Sequence, residues 1–168
     1  MSIKVKTLKK DTSLYHFTTN EKNWEKNKGM YLNHIFFHND VSHFTSTTIN
    51  SYKQYQKSNG RPRIVQFKVM NKLRLLNLSK KSIIEKVSIL KNLDKHTNNN
   101  IYPKDIQLYA LNLLSKQCNG RASIYNRLHN INRNHSLRRF IQLYIHRVLI
   151  ENKFDGILEG NKEYTSSM

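Results

Sequence analysis

A two-residue alternation between residues 63 and 70 is the clearest strand pattern in the chain. One face of this segment carries Ile64, Gln66, Lys68 and Met70, and the other carries Val65, Phe67 and Val69. This period predicts a half-buried strand. Lys72 then interrupts the pattern, and a second apolar run extends from Leu73 to Leu78.

Shorter strand patterns occur near both ends of the sequence. Residues 12 to 18, TSLYHFT, are rich in aromatic and β-branched side chains, which predicts a short strand. Residues 30 to 44 predict one or two strands with a turn at Asn39-Asp40, ending in a strand at Phe44-Thr45. The residues around Asp155-Gly156 predict a turn that enters a closing strand. Residues 1 to 11 are basic and carry little pattern, so we expect a frayed arm there.

Helical spacing dominates residues 79 to 152. An apolar stripe predicts a helix capped by Ser79 or Ser82, and the lysines of this segment fall mostly off the stripe: Lys80, Lys81, Lys86 and Lys91. A second helix is predicted after Pro103 and a short third one over residues 121 to 131. The most regular stripe predicts a fourth helix with Ser136 as its N-cap.

Two shorter helices are predicted in the first half of the chain. Asn20 is a suitable N-cap for a helix that ends at Gly29. The other helix follows Phe44-Thr45 and carries Tyr52 and Tyr55 on its surface. The elements together predict an α+β fold in which strands dominate the first half and helices the second.

The length and composition are those of a chain with one core. At 168 residues and 38% hydrophobic content, we expect a single domain. Within it, residues 1 to 78 form a strand-rich half, residues 79 to 152 a helical layer and residues 153 to 168 a closing strand. No apolar run approaches the roughly 20 residues that cross a bilayer. With one cysteine and no secretory pattern at the N-terminus, we expect an intracellular protein, cytoplasmic or nuclear.

The charge of the chain is strongly positive. Lys and Arg number 29 against 11 Asp and Glu, and the formal net charge is +18. Such an excess favours nucleic acid or another polyanion as a partner. Candidate nucleic-acid contacts are the arginines of the predicted helices: Arg121, Arg127, Arg138, Arg139 and Arg147. The alternatives are a generally lysine-rich composition and helix faces that are merely solvated.

Other reactive residues carry weaker signals. His34, His38 and His43 lie close in sequence, but their segment predicts strand and turn, so their spacing does not predict a metal site. Cys118 lies among cations at a predicted helix end, where an inert thiol is the default and a nucleophile the alternative. The sequence contains no phosphate-binding loop and no Gly-x-Ser-x-Gly motif.

Four segments together resemble a known superfamily. They are LYHFT near the start, an aromatic-Thr-Ser segment leading into the tyrosine-bearing helix, RPRIVQFKV followed by KLRLLNL, and a late FDGI. This pattern resembles the ADP-ribosyltransferase superfamily, and most closely its His-Tyr-Glu branch of diphtheria-toxin-like and poly-ADP-ribose-polymerase-like enzymes. The resemblance covers residues 12 to 78 and the last fifteen residues. It implies a split mixed β-sheet core, to which a mostly helical C-terminal half is added.

The resemblance also implies NAD as a substrate and roles for several residues near the start of the chain. His16 and Thr18 occupy the positions of the strand histidine and hydroxyl residue that bind the nicotinamide ribose. Phe17 between them would offer its backbone to the nicotinamide amide. Tyr55, or alternatively Tyr52, would stack on the nicotinamide ring.

A late glutamate completes the site that the resemblance implies. Glu163 is the first candidate and Glu159 the second. In the family this carboxylate hydrogen-bonds a ribose hydroxyl and stabilises the oxocarbenium-like transition state as nicotinamide leaves. A glutamate suits that chemistry, because a carboxylate beside the developing positive charge lowers the free energy of the transition state.

Three function hypotheses follow from these observations. The first is an NAD-dependent ADP-ribosyltransferase that acts on nucleic acid or a nucleic-acid-associated target. The second is an RNA 2'-phosphotransferase of the same superfamily, with the phosphate held by arginines such as Arg61, Arg63, Arg121 and Arg138. The third is a basic nucleic-acid-binding protein without enzymatic activity.

Overall fold

The computed structural model describes residues 2–18, 34–38, 41–44, 49–50, 63–96, 112, 124, 135–160 and 162–166. Within these ranges the fold is α+β, as the sequence predicts, with two helices and seven short strands. The strands are β1 (Val5–Leu8), β2 (Ser13–Thr18), β3 (His34–His38), β4 (Arg63–Lys68), β5 (Leu73–Asn77), β6 (Gly156–Glu159) and β7 (Lys162–Ser166). The helices are α1 (Ile83–Asp94) and α2 (His135–Glu151).

The strands form two small units with a bridge between them. In the first unit, β5 pairs with β1 in antiparallel and with β6 in parallel orientation. In the second unit, β2 and β4 form an antiparallel pair. β7 and β3 lie between the units, so that the strand order is β1-β5-β6-β7-β3-β2-β4.

Two short connections show that this sheet is strongly curled. β1 and β2 are five strand spacings apart in the order, as are β5 and β4, and each distance would be about 24 Å in a flat sheet. Yet Leu8 is five residue steps from Ser13, and Lys68 is five steps from Leu73, which allows at most about 18 Å. The two connections also bond to each other, through the amide of Asp11 and the carbonyl of Val69 at 2.8 Å. The two units must therefore fold towards each other.

The curled sheet encloses one apolar cluster on its inner face. This inner cluster takes side chains from both units: Leu8, Leu14, Phe67, Val69, Leu73, Leu75 and Leu158. In a flat sheet the contributing strands would be too far apart to share a cluster. The pattern between residues 63 and 70 is confirmed, because Val69 is buried and Phe67 half-buried, while Gln66 and Lys68 are exposed.

The opposite face of the first unit is covered by the two helices. Leu76 and Ile157 pack there against the apolar stripes of α1 and α2, which include Leu90, Ile145 and Val148. α1 begins with a capping box, in which the Ser82 hydroxyl accepts from the amide of Glu85 and the Glu85 carboxylate accepts from the amide of Ser82. Of the two predicted caps, Ser82 is therefore the one used. No helix in the described ranges is long and apolar enough to cross a membrane.

Arg74 ties the end of α2 to the sheet. Its guanidinium lies 4.4 Å from the ring centre of Phe154 and donates to the carbonyls of Asn152 and Lys153. Its backbone amide donates to the Asp155 carboxylate at 2.6 Å, and the Asp155 amide donates to the Arg74 carbonyl. These bonds hold the turn between α2 and β6 beside β5.

Tyr144 is a fully buried polar group of the helix layer. Burial raises the pKa of its phenol far above the ordinary value near 10, and the neighbouring Asp94 carboxylate raises this pKa further. The phenol is therefore neutral in the folded protein at every physiological pH.

The structure corrects several expectations about the elements. Residues 1 to 11 do not form a frayed arm, because β1 pairs with β5 and buries Leu8. Phe44 does not end a strand but follows the 3₁₀ turn Val41–His43. The closing segment is not one strand but two, β6 and β7, in the middle of the sheet.

Other predicted features fall at helix boundaries or outside the described ranges. α2 begins at His135, so Ser136 lies inside the helix and is not its N-cap. The helices predicted after Asn20 and Pro103 lie outside the described residues, apart from Asn112, which is helical. The helix predicted after Thr45 is described only at residues 49 and 50, and that over residues 121 to 131 only at Ile124.

The curled sheet predicts energetic coupling between residues of distant strands. Leu14→Ala and Leu75→Ala each remove a buried side chain of the inner cluster and should each lower the free energy of unfolding by about 2–5 kcal/mol. Because the two sites share one cluster, the double variant should deviate from additivity by about 0.5–3 kcal/mol in urea unfolding. Leu75→Ala combined with the exposed-site variant Ile64→Ala should be additive. Additivity of the first pair would contradict the curl.

The buried phenol predicts a loss of stability at alkaline pH. Above about pH 10 the unfolded chain loses the Tyr144 proton while the folded protein keeps it, so the free energy of unfolding should fall as pH rises. Urea unfolding between pH 8 and pH 11 should show a shallower fall for Tyr144→Phe than for the wild type. Parallel curves for the two proteins would contradict this prediction.

Candidate functional site

Extension of the printed strand pairing by one residue aligns His16 and Glu163 in one row across three strands. Tyr15 of β2 pairs with His38 of β3, and continuing this antiparallel register by one residue sets His16 beside Phe37. Phe37 in turn pairs with Glu163 of β7. In this extended register His16 and Glu163 are two strand spacings apart, which corresponds to about 10 Å between their backbones.

This row belongs to the inner face of the curled sheet. Successive residues of a strand alternate between faces, and directly paired residues share a face. Leu14 and Leu158 both belong to the inner cluster. Glu163 pairs with Leu158, and His16 is two residues from Leu14, so both lie on the inner face. The row therefore runs beside the apolar interior.

The described pairing between β2 and β3 is short. β2 and β4 are joined by six residue pairs and β3 and β7 by five, whereas the described ladder between β2 and β3 has the single pair Tyr15 with His38. That pair lies near the start of β2 and at the end of β3. The described ladder therefore does not include His16, the residue to which the resemblance assigns the ribose contact.

Phe17 lies on the opposite face of β2 from His16. Its side chain is buried on the other face, where its ring stacks on Phe44 at a centroid distance of 6.4 Å. His38 also contacts Phe44, edge to face at 4.9 Å, and is buried. The buried Phe17 ring anchors β2, and only its backbone remains available for the role that the resemblance implies.

Glu159 lies on the helix-covered face, opposite to His16. It pairs with Lys162, which pairs with His38, so it belongs to the neighbouring row of the sheet. Its carboxylate is almost fully buried and accepts from the ammonium of Lys86 on α1 at 2.5 Å. The amide of Ile124 donates to both carboxylate oxygens at 3.1 Å. The structure therefore does not bring the second-choice glutamate together with His16.

Sequence reasoning missed Lys86 as a partner of this carboxylate. Lys86 was expected mostly off the apolar stripe, but it is buried among the stripe residues of α1. The signal was present in the spacing, since Lys86 is three residues after Ile83 and four before Leu90, and these steps lie on one helix face. A lysine in such a position needs a buried acceptor, and Glu159 supplies it.

The remaining candidate residues are placed only in part. Tyr52, Tyr55, Arg121 and Arg127 lie outside the described residues. The structure describes the backbone but not the side chain of four further candidates: Thr18 in β2, Arg138 and Arg139 in α2, and Glu163 in β7. Arg147 is partly exposed on α2 and forms an ion pair with Glu151 one turn later, at 3.1 Å.

No protein-family model, curated protein or solved structure matches this chain. The basis for a functional proposal is therefore geometric: His16 and Glu163 share the inner face of the sheet on the strands that flank β3.

The buried ion pair predicts that removing one partner destabilises the protein more than removing both. Lys86→Met leaves the Glu159 carboxylate buried without its cation, so the free energy of unfolding should fall by about 3–5 kcal/mol. The double variant Lys86→Met/Glu159→Leu should recover part of this loss, because no unpaired charge remains. Urea unfolding at pH 7 measures both changes.

The matched control is Arg147→Met, which breaks a more exposed ion pair on the same layer. It should cost less than about 1 kcal/mol. Equal losses in Lys86→Met and Arg147→Met would contradict the structural importance of the buried pair.

Proposed function

We propose that this protein is an NAD-dependent ADP-ribosyltransferase whose site lies on the inner face of the curled sheet, where β2 and β3 meet. The observation that carries the proposal is that His16 and Glu163 belong to the same face of the sheet, on the two strands that flank β3. The resemblance in sequence names the same two residues independently of the sheet register. Two residues distant in sequence are thus brought near each other.

The separation of the two residues suits a sugar between them. Their backbones are two strand spacings apart, about 10 Å, so side chains extending from both strands can reach opposite sides of one ribose. In this proposal His16 hydrogen-bonds the nicotinamide ribose, with Thr18 beside it. Phe17 contributes its backbone to the nicotinamide amide, and Tyr55 or Tyr52 supplies the aromatic surface for the ring.

The reaction breaks the glycosidic bond between ribose and nicotinamide. The bonding electrons leave with the nicotinamide nitrogen, which becomes neutral, and positive charge develops on the ribose. The Glu163 carboxylate hydrogen-bonds a ribose hydroxyl and stabilises that charge. A nucleophile of the acceptor then bonds to the ribose carbon and loses its proton. Glu159 has no part in these steps, because its carboxylate is engaged by Lys86 on the other face.

A nucleic acid, or a protein bound to one, is the acceptor class that the charge favours. The net charge of +18 concentrates polyanions near the surface. In this proposal the helix arginines Arg138, Arg139 and Arg147, with Arg121 and Arg127, contribute to that attraction.

Nicotinamide release from NAD tests the proposal directly. The purified protein should release nicotinamide, and DNA or RNA should stimulate the release if either is the acceptor. Glu163→Gln removes the charge that stabilises the transition state and should lower kcat by about 100- to 1,000-fold. His16→Ala should also lower kcat/KM. Product analysis by chromatography and mass spectrometry identifies the modified polymer.

Two matched variants control for these changes. Glu151→Gln makes the same substitution at an exposed position of α2, and His96→Ala removes an exposed histidine after α1. Both should release nicotinamide at the wild-type rate. Salt-dependent binding of nucleic acid without any nicotinamide release would contradict the proposal and favour a non-enzymatic binding protein. Activity only on RNA with a 2'-phosphate would favour the phosphotransferase.

A further inference from the structure

Arg63 lies on the same inner face as His16, at the first position of β4. It pairs with Thr18, and Val65 two residues later pairs with His16. Since alternate residues of a strand share a face, Arg63 and Thr18 form the next inner-face row beyond His16. The step between the two rows is about 7 Å along the strands.

Arg63 stands at the open end of this face. Along β4 and the residue after it, the inner-face positions change steadily from buried to exposed: Val69 is buried, Phe67 and Val65 are half-buried, and Arg63 is exposed. On β2, Leu14 is buried and His16 half-buried. The inner face therefore leads from a closed apolar end to an accessible end.

We infer that Arg63 binds the diphosphate of the dinucleotide whose nicotinamide ribose meets His16. This inference rests on the proposed function and assigns a further subsite to it. In NAD the diphosphate follows the nicotinamide ribose directly, and Arg63 is one row beyond His16 towards the opening. A guanidinium presents a planar fork of donors that matches phosphate oxygens and remains charged at any physiological pH.

The residue types next to Arg63 on the inner face favour the binding of an anion. The inner-face residues of β2 and β4 are Leu14, His16, Thr18, Arg63, Val65 and Phe67. None of them is a carboxylate, and Arg63 is the permanent cation of this set. A diphosphate entering from the open end would meet this cation and no repelling carboxylate from these two strands.

Two variants and one control test the inference through steady-state kinetics. Arg63→Gln should raise the KM for NAD by about 10- to 100-fold, as expected for loss of hydrogen bonds from a charged group, with kcat changed less than threefold. Arg63→Lys keeps the charge but loses the fork and should fall between wild type and Arg63→Gln. The control Lys68→Gln removes a cation from an exposed outward-facing position of β4 and should leave the KM unchanged.

Direct binding of ADP-ribose separates this subsite from catalysis. ADP-ribose carries the diphosphate without nicotinamide, and calorimetric titration of its binding needs no turnover. Arg63→Gln should weaken its binding by the same factor as the KM for NAD, and Lys68→Gln should not. Binding that depends on Arg63 in a protein that releases no nicotinamide would support the subsite and contradict the transferase activity.

Three results would overturn the inference. The first is nicotinamide release with a KM for NAD that is indifferent to Arg63→Gln. The second is an effect of Arg63→Gln on the KM for nucleic acid alone, which would assign the guanidinium to acceptor phosphates. The third is the absence of ADP-ribose binding by the wild-type protein. The melting temperature of each variant should equal that of the wild type, which would confirm that the variant is folded.

Discussion

The shortness of two connections determines the architecture of this protein. Strands that are five positions apart in the sheet are joined by chain segments too short to span a flat sheet. The sheet can satisfy both connections only by curling, and the curl creates an inner face with its own apolar cluster. This curl also determines where the candidate site lies, because His16 is on the inner face of β2, two residues after the buried Leu14.

The buried ion pair between Lys86 and Glu159 organises the other side of the sheet. Lys86 reaches from α1 to Glu159 on β6, and the Glu159 carboxylate also accepts from the amide of Ile124. Three separate parts of the chain therefore meet at one carboxylate. Glu159 stands directly before the turn that leads into β7, so the same interaction holds the start of the strand that carries Glu163. The hydrogen bond from the Gly160 amide to the Ser79 hydroxyl adds a second tie at this turn.

The sequence predicts the elements of this fold better than their arrangement. The alternation at Val65, Phe67 and Val69 and the apolar stripe of α2 are local signals, and they were read correctly. The stripe of α1 was read correctly except that Ile84 is exposed and Lys86 is buried. The pairing of β1 with β5 was missed because the strand at residues 5 to 8 is exposed except at Leu8. The local spacing of Lys86 indicates its burial, but its partner Glu159 lies 73 residues away in the chain, and no local pattern identifies that partner. For the site, the resemblance offered Glu159 and Glu163 as alternatives, and only the sheet register separates their faces.

The central position of β6 and β7 also has a consequence for how the protein folds. These strands come late in the sequence, yet they lie between β5 and β3 and bridge the two units of the sheet. A chain that has emerged only as far as α2 can form the β1–β5 and β2–β4 ladders but not the strands that join them. The joining contacts link residues more than 80 positions apart, as between Leu75 and Gly156, and contacts of such high sequence separation slow folding. Until they form, β3 and β5 keep open edges, which makes this the stage at which the nascent protein is most exposed to aggregation.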